Sequence, residues 1–413
     1  MAGKGKKSVL VLGTGLEVEH ASRLSSTFDV YYWTHFMTAF PEFKDFSYGL
    51  GFEGVKKVMF PFYRINDVDM IATFDIGFGD VIDYFRKQGK VCFGAGRGEK
   101  LELDRWYLKS WLKQVGLPVM KTWRVIGIDR LREVLKQNKN VVVKISMFRG
   151  DCETFFSPSY EETEPLLDLL QIRWGKFAEQ YEFIVEQEIK DAVEVGVDAI
   201  FSPANGFCFP LMWGIENHSA YIGVWGNRIP KWFMRTEPHL NKILTTFDYR
   251  GFVSTEQRIV SSTKDYLIDM TCRIPHPLGH LFTTAIRNYP EVVYKIARNE
   301  KVTLDVREKY WGCLPIRSEE LNNVSLEVRF PEKYRPYIKF STAYKVDGKY
   351  YASRGGTIVC SIVYGADTVD KVIEGIKKIG DEVKVVRAEK EYHLLDEIKE
   401  EIEKLRGMGV DFV

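Results

Sequence analysis

The sequence predicts a multidomain protein of mixed α/β and α+β class, and three observations carry that prediction. Its opening segment, SVLVLGTGLEVEHASRLSS, runs from an apolar strand through a glycine turn into a helical pattern, the alternation that builds a parallel sheet. Its middle holds paired apolar runs, of which GFVSTEQRIV and DYLIDMTCR, within residues 249–280, flank the short turn SSTK as in a hairpin. Its last third places FSTAYKV and GTIVCSIV around turns at Asp347-Gly348 and Gly355-Gly356, an α+β pattern from about 303 to 386.

A length of 413 residues predicts about two to four compact units with a substantial apolar core. Lysine and arginine total 58 against 57 acidic residues, so no global charge favours nucleic acid or an anionic membrane. No apolar run is long enough to cross a bilayer, and MAGKGKK leads directly into the first strand, which predicts a cytoplasmic protein. The six cysteines, Cys92, Cys152, Cys208, Cys272, Cys313 and Cys360, form no CxxC pair, which argues against a zinc knuckle or a dithiol motif and for reduced thiols. Cys272 has strand-like neighbours and reads as a buried, inert thiol. The seven histidines show no metal-ligand spacing. His276 and His280 are separated by Pro277 and Gly279, which places them on a loop.

Residues 1–103 read as an α/β domain. Gly13 and Gly15 leave two readings: a backbone that approaches an anionic substrate at a helix N-terminus, or a tight turn. No third glycine completes a dinucleotide fingerprint. VDMIATFDIGFGDVIDYFRKQGKVCFGAG repeats the strand, turn and helix order, with a helix predicted over 79–88. Asp104 then caps a helix with apolar residues at Trp106, Leu108, Trp111, Leu112 and Val115, ended by Gly116 and Pro118.

Next, NVVVKISMFRGDCETFF gives a strand with Lys144 at its end and a loop holding Arg149 and Gly150. A lysine so placed either reaches phosphate or is solvated. YEFIVEQEIKD clusters Glu186, Gln187 and Glu188 before VEVGVDAIF, in which Glu194 lies near the start. This reads as a hinge that could pair with adenine and ribose, or as a charged edge strand. In the hairpin of 249–280, Glu256 and Asp269 come side by side with Arg273 four residues beyond. Two hard oxygen ligands beside a guanidinium suit Mg²⁺ and a polyphosphate; the competing reading is a surface hairpin with a salt bridge. Residues 387–413 place Leu394, Leu395, Ile398, Ile402 and Leu405 at helical spacing, either a packing helix or a homodimer contact.

Taken in order, these segments resemble the ATP-grasp superfamily, and within it the phosphoribosylamine–glycine ligases. GTGLEVEHASRL resembles that family's glycine turn and GREHA segment, and VCFGAGRGEKLELDRWYLKSWLKQVGLP its FGP segment and following helix. VVVKI resembles the first lid strand, FIVEQEIKDAVEVGVD the hinge, YLIDMTCR the acidic-x-x-x-Arg strand, and residues 339–379 the C-terminal domain. The resemblance implies an ATP-grasp fold with an N-terminal pre-ATP-grasp domain (1–103), an ATP-grasp domain (104–302, lid about 122–188), a C-terminal α+β domain (303–386) and a closing helix (387–413).

It further implies that Arg105 and Lys144 contact ATP phosphates, Glu186 and the Ile189 backbone read adenine, and Glu194 holds ribose. Glu256 and Asp269 would ligate Mg²⁺ or Mn²⁺, and Arg273, with Lys144, would stabilise transferring phosphate and an acyl-phosphate intermediate. The implied reaction joins an amino acid, glycine first, to an amine such as phosphoribosylamine. The alternatives are a different amine, such as a modified nucleotide or base, or a non-catalytic ATP-binding relative. Three segments depart from the family: SMFRGDCETF replaces a glycine-rich flap, Thr271 stands where relatives have Asn, and WGIENHSAYIGVWGNRIPKW replaces PNTGGMGAY. The last departure makes His218, Tyr221 and Arg228 candidates for a changed substrate pocket, against a reading as loop packing.

Overall fold

The computed structural model describes residues 5–35, 39–145 and 154–412. Arg149, Gly150 and Cys152, which the sequence placed in the lid loop, lie outside these residues.

The N-terminal unit is a five-stranded parallel sheet in the order Val55–Lys57, Asp29–Thr34, Ser8–Gly13, Met70–Thr73, Cys92–Phe93. Val9, Leu10 and Val11 are wholly buried because both faces of a parallel sheet are covered. The predicted helix at 79–88 forms as Gly79–Lys87, and the predicted cap at Asp104 forms too: its side chain accepts from the Tyr107 amide at the start of helix Arg105–Gln114.

A second sheet is antiparallel, in the order Thr122–Ile126, Glu182–Gln187, Val141–Ile145, Thr154–Ser157. Helices Ile128–Gln137 and Tyr160–Trp174 close a separate small core on it, built from Leu131, Leu135, Val143 and Leu167.

The largest sheet has nine strands. Along its path run Lys264–Thr271, Gly251–Ser261, Val193–Ser202, Leu211–Asn217, Ala220–Gly226, Tyr310–Arg317, Ile358–Ala366 and Ile338–Lys339, all antiparallel, with Gly206–Phe207 as a side branch. Strand Tyr310–Arg317 bonds to Ala220–Gly226 on one side and to Ile358–Ala366 on the other. The sheet therefore passes unbroken across residue 303, where the sequence reading drew a boundary.

A three-stranded sheet, Leu326–Val328, Lys349–Ala352 and Ala343–Val346, completes the C-terminal part. Its hairpin turns at Asp347-Gly348, where both residues have positive φ, 49° and 78°, as a two-residue turn between twisted strands requires. In helix His393–Gly407 the side chains of Leu394, Leu395, Ile398, Ile402 and Leu405 are buried against the main core of this chain. The apolar stripe that could have served a homodimer is taken up internally. Of the cysteines among the described residues, all five are free and buried. No helix among them is long and apolar enough to cross a membrane.

Ile398 is fully buried, so Ile398→Ala is expected to lower unfolding free energy by about 2–5 kcal/mol. A shift of the urea midpoint independent of protein concentration would check this, since an intermolecular role would make the shift concentration-dependent.

Candidate functional site

A cleft of about 550 Å³ opens between the four-stranded sheet and the edge hairpin of the nine-stranded sheet, lined by Lys144, Glu186, Ile189, Glu194, Glu256 and Asp269 among others. The hairpin register puts Glu256 directly opposite Asp269, as the two runs and the turn between them predicted. A register shift between Glu256 and Gln257 follows immediately. The Glu256 carboxylate has no hydrogen bond or ion pair among the described residues, and burial followed by the like charges of Asp269 and Glu194 raises its pKa to about 8. Two facing carboxylate groups are hard donors suited to Mg²⁺, which takes its remaining ligands from water and phosphate. Among the described residues no three acidic, histidine or cysteine groups gather as a complete metal cage.

The cations come from two other elements. Arg105, on the first turn of its helix, donates from Nε to Asp269 at 3.0 Å and from a terminal nitrogen to the Ile145 carbonyl at 2.8 Å. Lys144 lies 3.5 Å from Asp269 and 3.6 Å from Glu186. Burial opposes its charge, but Asp269 and Glu186 outweigh burial and hold its pKa above the ordinary lysine value. Lys109, one turn beyond Arg105, donates to the Ile268 carbonyl at 2.6 Å and lies 2.7 Å from Glu186. Burial lowers its pKa against the pull of that carboxylate. The sequence reading missed Lys109; its signal was the four-residue step from Arg105, which puts both on one helix face.

Glu186 thus commits its carboxylate to two ammonium groups. Ile189 lines the cleft, and Glu194 is ion-paired to Arg258 at 2.6 Å on the wall.

A second cavity of about 380 Å³ shares Glu194 and Glu256 with the first, and Asp198, Glu216, His218, Tyr221 and Arg273 also line it. Arg273 donates to Glu102 at 3.1 Å and lies 3.6 Å from Asp75, while the second oxygen of Glu102 accepts from the Cys272 amide at 2.7 Å. Glu102 and Asp75, both missed in sequence, fix the guanidinium at the cavity edge. Tyr221 donates its hydroxyl to Asp198 at 2.6 Å, and Ser254 donates to the other oxygen of Asp198 at 2.7 Å. His218 sits with Ser219 in the hairpin turn, at φ 45° and 70°.

Two expectations are corrected. Arg228 does not join His218 and Tyr221 but lines a separate cavity with Trp213 and Trp232. The seven residue steps from Tyr221 to Arg228 run mostly along a strand, at about 3.3 Å each, which carries Arg228 roughly 20 Å away. Gly13 and Gly15 do not present open amides to a substrate anion. The buried Glu17 carboxylate accepts from the Thr14 and Gly15 amides, both at 3.0 Å, and a Cβ at Gly13 would lie 2.3 Å from that carboxylate. The tight-turn reading holds, with the chain's own carboxyl group in the turn.

No family model matches the chain, and no curated protein does. Solved structures do: the chain has the ATP-grasp fold. It is similar to phosphoribosylamine–glycine ligase from Thermotoga maritima, at 15% identity and a TM-score of 0.71 over 93% of this chain and 98% of that one. It is also similar to the biotin carboxylase domain of Hydrogenobacter thermophilus 2-oxoglutarate carboxylase, at 11% identity and 0.69 over 96% and 94%. N5-carboxyaminoimidazole ribonucleotide synthetase from Thermotoga maritima matches at 14% identity and 0.63 over 92% and 99%.

Two outcomes follow. Burial, and then the charge of Asp75, raise the pKa of Glu17 to about 7, while hydrogen bonds from Thr14 and Gly15 pull it down. The folded chain therefore holds a proton that the unfolded chain releases, and stability falls as pH rises from about 4.5 to about 7, by on the order of 3 kcal/mol. Denaturation midpoints at the two ends of this window should differ in the wild type and differ less in Glu17→Gln. Lys109→Met leaves the buried Glu186 with Lys144 alone, and is expected to cost about 3–5 kcal/mol; thermal unfolding of the variant checks it.

Proposed function

We propose that the chain is an ATP-dependent carboxylate–amine ligase that forms an amide through an acyl phosphate. The observation that carries this reading is the cleft lined by Lys144, Asp269 and Glu256, where Lys144 and the buried Arg105 behind the lining converge on Asp269 while Glu256 faces Asp269 with no partner among the described residues. Adenine binding alone requires neither carboxylate, so the arrangement speaks against a non-catalytic relative.

Glu256 and Asp269 would hold Mg²⁺, which when bound neutralises charge on the triphosphate. Lys144 and Arg105 would hold the phosphate oxygens, Glu194 the ribose, and the Ile189 backbone the adenine edge. The substrate carboxylate attacks the γ-phosphorus as the bond to ADP breaks. The amine nitrogen then attacks the acyl carbon, the carbon–oxygen bond to phosphate breaks with its electron pair on phosphate, and the nitrogen gives up a proton. Arg273, held by Glu102 and Asp75 on the wall of the second cavity, would stabilise negative charge on the transferring phosphate and the tetrahedral centre.

Glycine as carboxylate and phosphoribosylamine as amine is the finer reading, supported by the fold likeness to phosphoribosylamine–glycine ligase. A different amine is favoured by the acidic lining of the second cavity.

ADP release from Mg-ATP and glycine, with and without freshly generated phosphoribosylamine, tests both. Turnover needing both substrates supports the finer reading; turnover only with other amines supports the alternative. Asp269→Asn and chelation of the metal are each expected to lower turnover at least about a hundredfold. Undiminished turnover in either would overturn the metal assignment.

A further inference from the structure

We propose that the second cavity binds an amine substrate carrying an additional positive charge, an ammonium or guanidinium held between Asp198 and Glu216. The inference rests on the ligase reading for the role of that amine, and on the cavity itself for its charge.

The cavity adjoins the nucleotide cleft through the shared Glu194 and Glu256, which is where an acceptor must stand to reach an acyl group formed beside Asp269. Its lining holds four carboxylates against one guanidinium. Several of these charges are already committed. Glu194 pairs with Arg258, Arg273 with Glu102 and Asp75, and Glu256 faces Asp269 on the nucleotide side. Asp198 and Glu216 remain for the contents of the cavity.

Asp198 is buried and oriented by two hydroxyl donors, one on each oxygen, which leaves lone pairs on both to accept from a ligand. Its orientation is built into the sheet. Tyr221 lies across Gly214, where a Cβ would come 2.6 Å from the ring and hydroxyl, so the strand is kept bare there to let the phenol reach Asp198. Glu216 projects into the cavity and has no hydrogen bond or ion pair among the described residues. Set in a shared recess, it is crowded by Glu256, Asp198 and Glu194.

A positive charge between them is attracted by both carboxylates and offers a donor that each lacks. A phosphate-bearing amine would instead face like charge in a confined space, with a guanidinium that already holds two acidic partners. In the coupling step the neutral nitrogen of such a substrate attacks the acyl carbon, phosphate departs with the carbon–oxygen electron pair, and one proton passes to solvent. The second, charged group keeps its place throughout.

The test is calorimetric binding of putrescine, ethanolamine and O-phosphoethanolamine to the full chain, in the wild type, Glu216→Gln and Glu216→Lys. Putrescine is expected to bind at least about tenfold tighter than ethanolamine, with O-phosphoethanolamine weakest. Glu216→Gln should lose about tenfold for putrescine alone, and Glu216→Lys should invert the order of putrescine and O-phosphoethanolamine. Glu216 is the penultimate residue of its strand and lines the cavity, and thermal unfolding of both variants checks that they keep the fold. Equal or tighter binding of O-phosphoethanolamine by the wild type, or putrescine binding unchanged in Glu216→Gln, overturns the proposal. Mg-ATP binding on the same samples separates the two readings. Its absence with the amine order intact overturns the ligase reading and leaves the charge preference standing, and its presence with the amine order lost does the reverse.

Discussion

The buried charge network around Asp269 and Glu186 is the constraint on which the rest of the site depends. Arg105 and Lys109 come from one helix, Lys144 and Glu186 from the four-stranded sheet, and Asp269 from the edge hairpin of the large sheet. None of these groups tolerates burial alone, because the desolvation of a single ion exceeds what the interior returns. Each element is thus held in place by charges on the other two. The same network sets the shape of the first cleft, since Asp269, which would meet a metal, is oriented by Arg105 and Lys144, which would meet phosphate.

Much of this site was legible in the sequence where local pattern fixes geometry. Two strand-like runs, GFVSTEQRIV and DYLIDMTCR, closed by a short turn, read as a hairpin, and the hairpin's register brings Glu256 opposite Asp269. Asp104 at the helix start determines which residues lie on the first turn, and Arg105 follows. What stayed hidden depends on contacts between distant segments. Glu102 and Arg273 lie 171 positions apart, and no periodicity announces their meeting. The glycine turn misled for a different reason: two convergent amides suit a carboxylate as well as a phosphate, and Glu17, two residues after Gly15, was near enough to fill it.

The likeness to solved ATP-grasp structures at 11–15% identity shows a fold kept while almost every side chain has changed. The physical reason lies in what each region must satisfy. The first cleft is built from a few charges and backbone positions set by strand register, a requirement that leaves most other side chains free to vary. The second cavity is lined in good part by the run 213–232, which is where the sequence departs from the ligase pattern.

The unbroken nine-stranded sheet has a consequence for how such a protein can change. The wall of its second cavity, formed by Leu211–Asn217 and Ala220–Gly226, is bonded on one side to the strand that carries Glu194 and on the other to Tyr310–Arg317. A recombination event at residue 303 would not exchange a self-contained cassette; it would tear a ladder of backbone bonds and bare two sticky edges. New substrate preferences in this scaffold therefore have to arise by point substitution within an intact lattice, one side chain at a time.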